Sequence, residues 1–142
     1  MVKRTLLLIA IASIASIASI ESNAQTVALK ADGLDTAYVQ NIVKRSQKIV
    51  DGLKIKNAQK AENVRNIIAN RYFLLNDIHS KYGKKQQAER DAELYKHHFE
   101  LASALTPYLK EKQIDAVKDG MTFGRLKRDY NATLDMIPTL TK

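Results

Sequence analysis

A single apolar seam through the middle of the chain restricts its fold more than any other feature. From Val64, the positions Ile68, Arg71, Leu75, Ile78 and Tyr82 follow at steps of four, three, four, three and four. Only a helix, at about 3.6 residues per turn, lines such positions up on one side. Asn57 is a suitable N-cap just upstream, and Gly83-Lys84-Lys85 breaks the pattern. The spacing therefore predicts a helix from Asn57 to Tyr82, about 37 Å long, with a coiled-coil-like seam.

The rest of the chain follows the same rhythm. Asp35 can cap a helix in which Tyr38, Val39, Ile42, Val43, Ile49, Val50 and Leu53 recur at helical spacing, with Gly52 near its end. Beyond the break, Ala88, Ala92, Tyr95, Phe99 and Ala102 form one stripe, and Leu94, His98, Leu101 and Leu105 form a second beside it. Two adjacent stripes make a broad buried face, so the simplest arrangement is a long antiparallel hairpin of the second and third helices with the first laid against it. Thr106 and Pro107 suit the start of a short fourth helix that stops at Gly120. "MTFGRLKR" reads as an irregular crossing, and "DYNATLDMI" as one more helix. No stretch alternates apolar and polar residues over strand length. The expected class is all-α, a small helical bundle.

The first 24 residues are set apart from this pattern. Lys3 and Arg4 precede an apolar run from Leu6 to Ile20, and Ser22-Asn23-Ala24 ends in small residues suited to cleavage. This is the layout of a secretory signal peptide cut after Ala24. The run contains Ser13, Ser16 and Ser19 and falls short of the roughly 20 apolar residues a membrane span needs. An exported protein, periplasmic or secreted, with no membrane span is expected. Residues 25–34 read as an extended, flexible leader, and residues 35–142 as one helical domain.

Charge and composition narrow the partners. The chain has 23 Lys and Arg against 15 Asp and Glu, for a net charge of +8, and it has no cysteine and no Trp. The absence of cysteine closes disulfides, thiolate metal sites and acylation at a cysteine. Export makes nucleic acid an unsuitable partner despite the basic balance. The positive sign permits attraction to acidic polymers such as uronate-containing polysaccharides. Helices with broad apolar faces also invite a homodimer.

Candidate site residues concentrate in "NRYFLLNDIHS". Tyr72, Asn76 and His79 fall on one flank of the seam, and Arg71 sits within it. Polar side chains at the edge of a core can line a small-molecule site, or they can satisfy neighbouring backbone groups; spacing alone leaves both open. His97 and His98 point about 100° apart on a helix and cannot grip one metal ion together. No nucleophile-and-base pair, phosphate loop or marked pair of carboxylates is present, so neither an enzyme nor a bound cofactor is expected.

The segments "RSQKIVDGLKI", "NDIH", "RDAELYKHHFE" and "VKDGMTFG" followed by "LDMIPTLT" resemble the exported Bacteroidota family catalogued as domain of unknown function 3826. The resemblance spans residues 35–142. It implies a carbohydrate-binding accessory role in polysaccharide use, with an oligo- or polysaccharide partner. It also adds Thr122 and Phe123, from the "VKDGMTFG" motif, to Tyr72, Asn76 and His79 as ligand-binding candidates. Family members continue past "IPTLT" into a further helix and a Trp-containing stretch, so the resemblance implies a chain shortened at its C-terminus. With no Trp, sugar stacking would fall to Tyr72, Tyr82, Tyr95, Tyr108, Phe123 and Tyr130. The alternative is a basic helical interaction or chaperone-like module.

Overall fold

Two side chains start the two longest helices. In this computed structural model, which describes residues 25–137, the Asp35 carboxylate accepts a hydrogen bond from the Tyr38 amide at 2.8 Å and opens α1 (Thr36–Gly52). The Asn57 side-chain oxygen accepts from the Lys60 amide at 2.8 Å and opens α2 (Ala58–Lys81). Each satisfies an amide that the helix itself leaves without a partner. Both starts fall at the residues expected from the sequence. The signal peptide expected over residues 1–24 and the segment 138–142 lie outside the described residues.

After α2 the chain forms α3 (Gln87–Lys96), α4 (Glu100–Leu105), α5 (Glu111–Met121) and α6 (Arg125–Met136). The described residues contain no strand, and the fold is all-α. The buried core joins Val50 of α1, Val64, Ile67 and Ile68 of α2, Leu105 of α4, Leu109 of the link that follows, and Ile114 and Val117 of α5. α2 runs through its centre: Asn63, Val64, Asn66, Ile67, Ile68 and Ala69 are all buried. Its most extensive helix neighbour is α1.

The continuous third helix expected over residues 88–105 is not formed. The ladder tightens at its middle, where His97, His98 and Glu100 donate to carbonyls three residues back. The Arg71 guanidinium then donates to the His97 carbonyl at 3.0 Å. The His97 carbonyl, where the helix would otherwise continue, thus accepts from both the Glu100 amide and a cation of α2, and the chain turns. The stripe expected to be buried is correspondingly open: Ala88, Ala92, Tyr95 and Phe99 are exposed, and α3 has no buried residue.

Three smaller differences have local causes. Thr106 does not cap the next helix, because its hydroxyl donates back to the Ala102 carbonyl at 2.8 Å and closes α4. α5 starts only at Glu111, where the Gln113 side chain accepts from the Lys110 amide at 3.2 Å. Gly120, expected as a stop, lies inside the last turn of α5, and a Cβ there would meet Ile49 Cγ1 at 3.0 Å; its role is close approach to α1. The irregular crossing shrinks to Thr122–Gly124, and α6 begins at Arg125.

Residues 25–31 run without regular structure and are anchored to α2. Asn63, Asn66 and Asn70 stand at steps of three and four along one side of α2. The Asn63 side chain accepts from the Val27 amide at 2.9 Å and donates to the Gln25 carbonyl at 3.3 Å. Asn66 donates to the Val27 carbonyl at 2.8 Å. Asn70 donates to the Ala28 carbonyl at 2.9 Å and accepts from the Lys30 amide at 2.8 Å. An amide side chain has both a donor and an acceptor, so it pairs with an extended backbone much as a neighbouring strand would. The flexible leader becomes a strap held along α2.

Candidate functional site

Arg45 marks the first candidate locus. It stands on the apolar side of α1, three residues after Ile42 and four before Ile49. Its guanidinium lies 4.6 Å from the ring centre of Tyr72 and 3.9 Å from that of Phe123, so it is held between two aromatic rings. It also donates to the Met121 carbonyl at 3.3 Å, and the Tyr72 hydroxyl donates to the same oxygen at 3.4 Å. Each cation–ring contact contributes roughly 0.5–2 kcal/mol. Burial raises the Tyr72 pKa above the ordinary phenol value, and the Arg45 charge and hydrogen bond act in the opposite direction.

Phe123 has an unusual posture. Its backbone is left-handed, with φ 54°, and Gly124 follows at φ 66°. That region costs a residue with a Cβ roughly 1–2 kcal/mol. The ring is nonetheless 69% exposed. Beside it an open cleft of about 370 Å³ is lined by Arg45, Lys48, Ile49, Leu53, Ala116 and Gly120.

A larger cleft, of about 630 Å³, opens along α2, between the strap and the α3–α4 turn. Its apolar surface comes from Ile67, Phe73, Leu74 and Leu101. Lys30, Asn70 and Arg71 supply donors, and Asp32, Asp77 and Glu100 supply carboxylates. Burial lowers the Arg71 pKa, while the Glu100 charge raises it. His97, also in this wall, has Nδ1 2.8 Å from a Glu100 oxygen and Nε2 3.7 Å from Glu93. Among the described residues no group of three His, Cys, Asp or Glu side chains is placed to hold a metal ion.

The sequence-expected residues divide between these features. Tyr72 and Phe123 meet across Arg45. Thr122 is adjacent, but its hydroxyl donates to the Lys118 and Asp119 carbonyls at 3.1 and 3.2 Å and closes α5. Asn76 and His79 are exposed farther along α2. They lie about 6 and 10 Å from Tyr72 along the helix axis at 1.5 Å per residue, and the stack does not include them. Arg45 went unnoticed in the sequence although a cation inside an apolar stripe was the available signal. Asp77, exposed on α2, lines the larger cleft.

The fold and its clefts define a small all-α protein with one recess along α2, beneath the strap and the α3–α4 turn, and another between α1 and α5. The chain belongs to the family described as protein of unknown function (DUF3826), whose model matches residues 39–89 and 82–142. Those stretches include Arg45, Tyr72, Asn76, His79, Thr122 and Phe123. No curated protein matches the chain.

Proposed function

We propose that this is an exported carbohydrate-binding accessory protein that holds a short oligosaccharide in the larger cleft. The observation that carries this reading is the make-up of the cleft wall. Apolar Ile67, Leu74 and Leu101 lie among donors and carboxylates from three parts of the chain. A sugar ring offers C–H faces and outward hydroxyls, and it needs both kinds of surface together. About 630 Å³ has room for two or three pyranose rings. Asp32 and Asp77 would accept sugar hydroxyls, Lys30 would donate, and the strap would form one side.

A thermal-shift and calorimetric screen of the protein against neutral oligosaccharides tests this reading. One sugar class should raise the melting midpoint, because a ligand that binds only the native state stabilises it by mass action. Asp77→Ala should weaken that binding roughly tenfold, the loss of about one charge-assisted hydrogen bond. Failure of every sugar to bind would overturn the proposal. Export is checked separately: the protein recovered outside the cytoplasm should begin at Gln25.

A second reading, a helical interaction module, is favoured by one observation. Tyr95 and Phe99 are 73% and 70% exposed, and the His98 ring lies 6.3 Å from the first and 4.7 Å from the second. Such an aromatic cluster suits capture of apolar segments of other proteins or of a second copy. Suppression of client aggregation that is lost in the Tyr95→Ser, Phe99→Ser double variant would support it, and no protection of any client would remove it.

A further inference from the structure

The Arg45–Phe123 cleft joins a left-handed backbone to an open aromatic face. Phe123 takes a left-handed backbone, yet its ring stays mostly in water. Arg45 is held between two rings, with its Nε buried and without a hydrogen-bond partner. Among the described residues it forms no ion pair, and the described cleft lining contains Lys48 but no carboxylate. A surface with two cations, no anion and one open aromatic face is complementary to a ligand that carries a carboxylate on a ring with a C–H face.

We propose that this cleft binds an acidic sugar unit, a uronate, with its carboxylate toward Arg45 and Lys48 and its ring stacked on Phe123. The planar guanidinium favours carboxylate over other anions because two parallel N–H donors can meet its two oxygens. The guanidinium is already held by two aromatic rings and the Met121 carbonyl, so little freedom is lost when an anion arrives. Phe123 adds the discrimination that charge lacks: a linear polyanion gains nothing from its ring face. The inference rests on the saccharide reading above but assigns the acidic unit to a different cleft.

The test is calorimetric titration of the full-length mature protein with a short oligogalacturonate, the corresponding neutral oligosaccharide and poly-glutamate. Lys48→Gln, Phe123→Ala and Asp77→Ala are titrated in parallel. Lys48 is exposed, so its variant keeps the test valid if changes at Arg45 disturb folding. Oligogalacturonate should bind at least tenfold more tightly than its neutral counterpart, and the preference should shrink as salt is raised. Lys48→Gln should lower its affinity severalfold and Phe123→Ala about tenfold. Equal binding of neutral and acidic sugars would overturn the inference and leave the saccharide reading standing. Equal binding of poly-glutamate, or sensitivity to Asp77→Ala alone, would also overturn it. No binding of oligogalacturonate would overturn the inference, while the saccharide reading would still be decided by the neutral screen.

Discussion

Ser46 sits fully buried on α1, and among the described residues its hydroxyl has no hydrogen-bond partner. A buried hydroxyl left unpaired has lost its water without replacement, a penalty of roughly 1–3 kcal/mol. Ser46→Ala should therefore stabilise the protein by about 1 kcal/mol, seen as a higher urea midpoint at unchanged slope; a clear loss would mean that the hydroxyl is paired. Tyr72 gives a second single-residue prediction. Its folded pKa lies above that of the unfolded chain, so the neutral phenol contributes stability below pH about 10, and that contribution is lost as the pH rises through the folded value. Arg45→Gln removes the two influences that lower this pKa. The phenolate absorbance of Tyr72, isolated by comparison with Tyr72→Phe, should then appear at a higher pH than in the parent. The candidate site was half legible at this scale. Tyr72 and Phe123 stood out as aromatics beside polar neighbours, but Arg45 is paired with them only because α1, α2 and the end of α5 converge, and Met121 is distant from it in sequence.

Between elements, the asparagines of α2 do what apolar residues usually do. Asn63 is fully buried, and Asn63→Ala would strand the Val27 amide beneath the strap. The expected cost is about 1–3 kcal/mol. Val27 and Lys30 amides should be protected from hydrogen exchange in the parent, and Val27 protection should vanish in the variant; fast Val27 exchange in the parent would show that the strap is not held. Gly120 sets a second contact. Gly120→Val puts branched carbon against Ile49 where a single Cβ already meets it at 3.0 Å. It should lower stability by about 1–3 kcal/mol, as overpacking does. Helix starts at Asp35 and Asn57 could be read in advance because a cap is a local arrangement of a few residues. The strap could not, because Asn63, Asn66 and Asn70 look like a solvated face until another segment lies along them. The break in the third helix was equally hidden, since one of the two donors to the His97 carbonyl comes from α2.

Taken whole, the molecule concentrates its buried surface on α2 and thins toward α3 and α6. α3 buries no residue, whereas α2 buries eight. Hydrogen exchange should follow that gradient, with the slowest amides around Val64–Ala69 and the fastest helical amides in α3; uniform protection would show that α3 is covered in solution, and its dependence on protein concentration would identify a second copy as the cover. Tyr95 and Phe99 would lie at that contact, and sedimentation should then report the homodimer. Sequence alone determined the all-α class, the extents of α1 and α2 and the basic, cysteine-free character of the chain. Those follow from periodicity, capping and composition, which act over one or two helical turns or over the chain as a sum. Tertiary structure alone decided which polar residues would be buried, where the third helix would break, and which cation would sit between Tyr72 and Phe123. Each of those depends on a partner dozens of residues away, and a side chain's helical position says which way it points but not what will be there to meet it.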